Sequence, residues 1–128
     1  MAQIKTFRDL HVWQKSHQLA LSIYDITKSF PTEEKFGLVT QMRRAAVSIA
    51  SNIVEGFRRK SLKDTINFYN MADSSLEELK YQLLLCYDLK FVNQEDYSSV
   101  YALSEEVSKM LFSWISLHKA KLTSRTLA

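Results

Sequence analysis

The stretch from Gln41 to Gly56 constrains this chain more than any other. At helical spacing, Leu38, Met42, Ala45, Ile49 and Ile53 form one apolar stripe, and Val39, Ala46, Ala50 and Val54 form a second beside it. Most of the circumference is then apolar, and such a helix has to be covered from more than one side. A narrow polar stripe remains: Gln41, Arg44, Ser48, Ser51 or Asn52, and Glu55. Buried polar groups without partners cost about 1–3 kcal/mol each. Gln41, Arg44, Ser48, Asn52 and Glu55 are therefore candidate structural or interface residues, with partners on another helix, another subunit or a ligand. For Arg44 the expected partner is a carboxylate such as Glu77 or Glu78, and Asn52 is expected to fix register. The small residues Ala45, Ala46, Ser48, Ala50 and Ser51 let neighbouring backbones come close.

Only 2 Gly and 1 Pro occur in 128 residues, and that scarcity of breakers argues for long helices. A first helix is expected from Asp9 to Phe30, stopped by Pro31. The second runs from Phe36 to Glu55, with Gly56 at the position that closes a helix. The third runs from Leu62 to Leu89 behind a Ser61 cap with Asp64 three residues on; Thr65, Tyr69, Ala72, Leu76, Leu79, Leu83 and Cys86 make its core stripe. The fourth, from Gln94 to Lys121, repeats the capping signal at Asn93 and carries Tyr97, Val100, Ser104, Val107, Leu111, Trp114 and His118 on one face. Short connectors make successive helices antiparallel. The expected fold is all-α, an antiparallel up-down-up-down four-helix bundle forming a single domain over 1–128, with flexible ends at 1–6 and 122–128. Leu84, Leu85 and Tyr87, beside the core stripe of the third helix, exceed what one bundle core needs and argue for a homo-oligomer.

The single cysteine, Cys86, cannot form an internal disulfide, so a reducing cytoplasm is the simplest location. The N-terminus lacks the apolar core of a signal peptide, and no apolar run reaches the ~18 residues of a membrane span. The three histidines, His11, His17 and His118, form neither His-x-x-x-His nor Glu-x-x-His, so no metal is expected. No phosphate-cradling glycine loop and no nucleophile–base pair is visible, so neither a cofactor nor an enzymatic activity is expected. His17 falls on a packing stripe; Cys86, Trp13 and Trp114 are read as core residues.

The charges sort between the ends of such a bundle. The end holding the N-terminus, the connector between helices two and three, and the C-terminus carries Lys5, Arg8, Arg58, Arg59, Lys60, Lys63, Lys119, Lys121 and Arg125 against Asp9, Glu55 and Asp64, a surplus of six positive charges in a chain of net charge +3. The opposite end is acidic. Arg58, Arg59, Lys60 and Lys63 crowd the start of helix three, where positive charge opposes the macrodipole by roughly 0.3–1 kcal/mol per group. An anionic partner explains that placement, and Arg58, Arg59, Lys60, Lys63, Lys119 and Lys121 are candidate nucleic-acid-binding residues. The alternative is that these cations only solvate loops and helix ends, leaving a protein-interaction or assembly scaffold.

The assembled motifs resemble a known family, the four-helix-bundle proteins encoded in intervening sequences of bacterial 23S ribosomal RNA, to which the accessory variability proteins of diversity-generating retroelements look related. The resemblance spans Phe7 to His118. It rests on Phe7-Arg-Asp-Leu-His-Val-Trp-Gln-Lys15, on Phe30-Pro31 with Glu34, on Gln41-Met-Arg-Arg-Ala-Ala-Val-Ser48 continuing to Ser51-Asn-Ile-Val-Glu-Gly56, and on Ser75-Leu-Glu-Glu-Leu79. Ala50 stands where the family usually has proline, so any kink there should be softer. Val54 replaces a usual alanine and Ser74 a usual glycine. The resemblance implies a ring, typically a pentamer, a role in nucleic-acid binding, and no enzymatic activity.

Overall fold

The computed structural model describes residues 3–127. Four helices make up nearly all of it: α1 (His11–Thr27), α2 (Leu38–Arg58), α3 (Leu62–Asp88) and α4 (Gln94–Leu127). Met1, Ala2 and Ala128, part of the ends expected to be flexible, lie outside the described residues.

The helix expected from Asp9 begins at His11, because Asp9 caps a short 3-10 turn ahead of it. Its carboxylate accepts from the N–H groups of Lys5 (2.8 Å) and Thr6 (3.0 Å), while the Thr6 hydroxyl accepts from the Arg8 N–H. At the other end α1 stops at Thr27, short of Phe30. The N–H groups of Lys28 and Phe30 reach back only to Asp25 and Thr27, so the last turn tightens, and Pro31 forbids helical backbone at Phe30. Phe30 turns inward against Phe91.

Helix α2 starts two residues later than expected, at Leu38; Gly37 takes the cap position and Phe36 is left 89% exposed. It also ends later. Gly56 does not close the helix but lies inside its last turns, buried, and the chain stays helical to Arg58. The Ser61 hydroxyl accepts from the Asp64 N–H to open α3, and Asn93 Oδ1 accepts from the Asp96 N–H at 2.7 Å to open α4, as the capping signals predict. Between them the chain reverses at Lys90, whose φ of 64° is left-handed. There the Phe91 N–H bonds to the Cys86 carbonyl and the Lys90 N–H to that of Tyr87, closing α3 with its last carbonyls satisfied. Helix α4 continues past Lys121, where the sequence suggests fraying. No breaker follows, and the Thr123 and Thr126 hydroxyls bond back to the carbonyls of Lys119 and Leu122.

Each helix packs against two others around a square, α1 on α2 and α4, α3 on α2 and α4. Paired contacts run in opposite directions along neighbours. Ser48 meets Ser75 and Gly56 meets Tyr69 between α2 and α3; Lys80 meets Glu105 and Tyr69 meets His118 between α3 and α4. The result is an antiparallel up-down-up-down bundle. Leu19, Ile23, Met42, Ile49, Ile53, Leu76, Leu83 and Leu111 are wholly buried along its axis, each contributing roughly 1.5–3 kcal/mol relative to exposure. His17 is not among them. It is exposed and stacks on Trp13 at 5.0 Å, because its stripe runs along the flank of α1 rather than over the core. Of the surplus apolar residues beside the α3 stripe, Leu85 and Tyr87 pack onto the core and Leu84 stays 44% exposed.

Candidate nucleic-acid interface

The start of the chain, the junction of α2 and α3, and the last turns of α4 meet at one end of the bundle. They enclose a cleft of about 300 Å³ to which Ile4, Leu10, Gly56, Phe57, Arg59, Lys60, Leu62, Thr65, Tyr69, Trp114, His118 and Arg125 contribute. Two local features make it. The helical Gly56 lets α3 pack close enough for the Tyr69 ring to sit where a Cβ would be, 2.6 Å from Tyr69 Cε1. The unbroken run of α4 to Leu127 carries Arg125 back over the junction.

Arg59 caps α2 with extended backbone, and its guanidinium is held twice. It bonds to Glu55 Oε2 at 2.7 Å and lies over the Phe68 ring at 4.3 Å. Glu55, expected in the polar stripe with Arg44, thus works at the basic end, where it positions Arg59 and offsets part of its charge. Arg58, Lys60 and Lys63 are exposed around the same junction; Lys119 and Lys121 are exposed on α4 without lining the cleft.

Aromatic rings floor the cleft. The Tyr69 and His118 rings meet edge to face at 5.2 Å, and Trp114 lies 4.7 Å from His118. His118 Nδ1 is 2.7 Å from the Trp114 carbonyl oxygen, which can only accept, so Nδ1 carries a proton and Nε2 is left for another partner. Burial pushes the Tyr69 phenol above its ordinary pKa, and the approaching Trp114 indole offsets part of the rise. That approach stops short of a closed hydrogen bond: the Trp114 Nε1–H is buried with no partner among the described residues. Periodicity places Thr65, Tyr69, Trp114 and His118 on core stripes but cannot show that their polar atoms converge where the core opens at the bundle's end.

The remaining polar-stripe residues lie elsewhere, between α2 and α3. Ser48 and Ser75 share a hydrogen bond of 2.9 Å across the two helices, and Asn52 Nδ2 donates within α2 to both the Ser48 carbonyl and its hydroxyl. Gln41 and Arg44 are exposed at the rim of the shallow hollow beside them. Arg44 makes no ion pair among the described residues: Glu77 pairs with Lys80, and Glu78 accepts from Gln82. Among the described residues no three His, Cys, Asp or Glu side chains cluster as metal ligands, and no helix is long and apolar enough to cross a membrane.

Residues 8–113 match the model of a family described as 23S rRNA-intervening sequence protein. The chain is also similar to a protein of unknown function from the S23 ribosomal protein family of Bacteroides thetaiotaomicron VPI-5482, known as a crystal structure. The two are 33% identical and superpose with a TM-score of 0.76 over 82% of this chain and 95% of that one. No curated protein matches significantly. The family match takes in the α2–α3 side of the cleft and stops just before Trp114.

Proposed function

We propose that this chain, which belongs to the 23S rRNA-intervening sequence protein family, is a non-enzymatic, homo-oligomeric module of the cytoplasm that binds structured RNA or DNA through its basic end. The observation that carries this reading is the convergence of Arg58, Arg59, Lys60 and Lys63 at the α2–α3 junction with Arg125 across the cleft. Cations placed so attract phosphate backbones through counterion release. No element at this end is patterned in sequence to read base edges, so recognition is by backbone and shape. Apolar surface left uncovered at Phe36, Tyr81 and Phe112 supports self-association, and the family resemblance points to a pentamer. In a ring with parallel subunits the basic ends would share one face and reinforce each other's field.

A second reading is a scaffold without nucleic acid, in which the α2–α3 hollow, with Arg44 at its rim, meets a protein partner or another subunit. Fluorescence anisotropy with RNA and DNA hairpins separates the two. Binding should weaken steeply between about 50 and 200 mM salt, with a log–log slope of about 0.7–0.9 per neutralised phosphate. Light scattering should return a mass well above 14.9 kDa. An oligomer that binds no hairpin at low salt would favour the scaffold.

A further inference from the structure

We infer that the cleft at the basic end is a specific site for a phosphomonoester carried on one nucleotide; resting on the nucleic-acid reading, its source is the phosphorylated end of a strand. Among the described residues the buried Trp114 indole N–H has no hydrogen-bond partner and approaches the Tyr69 hydroxyl, and Thr65 lines the same cleft beside them; His118 Nε2, with Nδ1 protonated, can only accept. They are not surface groups, for Thr65 is 7% exposed, Tyr69 1% and His118 9%. A polar group left unpartnered at that depth, as the Trp114 N–H is, is costly.

Their chemistry selects the ligand. The hydroxyls of Thr65 and Tyr69 can donate, and the rim adds Arg59, Lys60 and Arg125. Among the described residues no aspartate or glutamate lines the cleft; Glu55 bonds Arg59 from outside it. A basin of donors and cations with no carboxylate suits a group of high negative charge and several acceptor oxygens. A phosphomonoester carries about −1.5 to −2 charges and three such oxygens. An internal phosphodiester carries one charge, and its strand has to enter and leave. The volume, about 300 Å³, sits at the lower bound for small-ligand pockets. It suits one nucleotide and excludes a duplex. Ile4, Leu10, Phe57 and Leu62 supply apolar wall for sugar and base.

The test uses single-stranded oligonucleotides labelled at the far end. They carry either a 5′-phosphate or a 5′-hydroxyl, with a matching 3′ pair, and adenosine monophosphate serves as the free nucleotide. One phosphorylated end should bind about tenfold or more tightly than its hydroxyl counterpart, as expected for charge-assisted hydrogen bonds. Tyr69→Phe and Thr65→Val should each erase that preference with little change in melting temperature, because neither hydroxyl closes a hydrogen bond among the described residues. Arg125→Gln, at an exposed position, should weaken the preference and serves if a floor variant fails to fold. Equal affinity for phosphorylated and hydroxyl ends, or a preference that survives all three variants, overturns the site and leaves the basic end standing as a nonspecific surface. If no oligonucleotide binds while adenosine monophosphate binds and loses affinity in the variants, the phosphomonoester site stands with a free nucleotide as its source. In that case the nucleic-acid reading falls.

Discussion

A methyl group on Gly56 would lie 2.6 Å from Tyr69 Cε1 and 2.8 Å from Cδ1. Glycine inside a helix ordinarily costs about 0.5–1 kcal/mol relative to alanine, so Gly56→Ala would stabilise an open position. Here the Tyr69 ring is 1% exposed and cannot swing aside. Gly56→Ala should therefore destabilise the bundle by about 1–3 kcal/mol in thermal or urea melts. Combining it with Tyr69→Leu should recover part of that destabilisation, since the two side chains compete for one space.

Lys80 is the other position where α3 depends on a single side chain. Its side chain is 13% exposed, and its ammonium reaches Glu105 at 3.0 Å, Ser108 at 3.1 Å and Glu77 at 3.2 Å. Burial alone would lower its pKa; hydrogen bonds to Glu105 and Glu77 outweigh that and leave it raised. Its stabilising contribution is thus complete below the ordinary lysine value and fades as pH rises through the folded one. Lys80→Met keeps the stem but should cost about 1–2 kcal/mol in urea melts, mostly from hydrogen bonds to charged groups. Glu77→Gln, at a side chain 64% exposed, should cost less than about 0.5 kcal/mol.

The bundle is legible in the sequence because its cues are local: apolar spacing, caps at Ser61 and Asn93, and Pro31 after α1. Gly56 misleads for the same reason. A glycine after a helical run reads as a stop, whereas its role depends on the Tyr69 ring of the next helix. The basic end is legible from charge, since short connectors dictate which termini meet. The floor of the cleft is not. Periodicity says which face Thr65, Tyr69, Trp114 and His118 occupy, but whether a polar atom finds a partner is decided by the geometry of three chain segments at once. Ser48 and Asn52 read as polar residues needing partners, and they find them in Ser75 and each other. Arg44 reads the same way and has no ion-pair partner among the described residues.

Cys86 is buried in the core and donates to the Leu83 carbonyl at 3.2 Å. Burial pushes its thiol from 9.0 up to about 11. The folded state therefore holds this proton more tightly than the unfolded one. The contribution is complete below about pH 9 and disappears as pH rises through about 11. Urea midpoints should fall across that window, and Cys86→Ala should flatten the fall there. At about pH 8 the native thiol should resist alkylating reagents that modify the unfolded chain quickly.

If the α2–α3 junction holds nucleic acid, its cations must set the salt dependence of binding. The most direct measurement is that salt dependence, taken with hairpins for the wild type and for a variant with Arg58→Gln, Arg59→Gln and Lys60→Gln together. These side chains are exposed, so the changes at Arg58 and Lys60 should each shift stability by less than about 0.5 kcal/mol, and Arg59→Gln, which loses the Glu55 pair and the Phe68 contact, by about 0.5–1 kcal/mol. The expected result is much weaker binding and a log–log slope flatter by about 0.7–0.9 for each phosphate the variant no longer neutralises. Lys28→Gln and Lys35→Gln at the opposite end should do far less. An unchanged affinity and an unchanged slope in the folded triple variant would contradict binding at this junction.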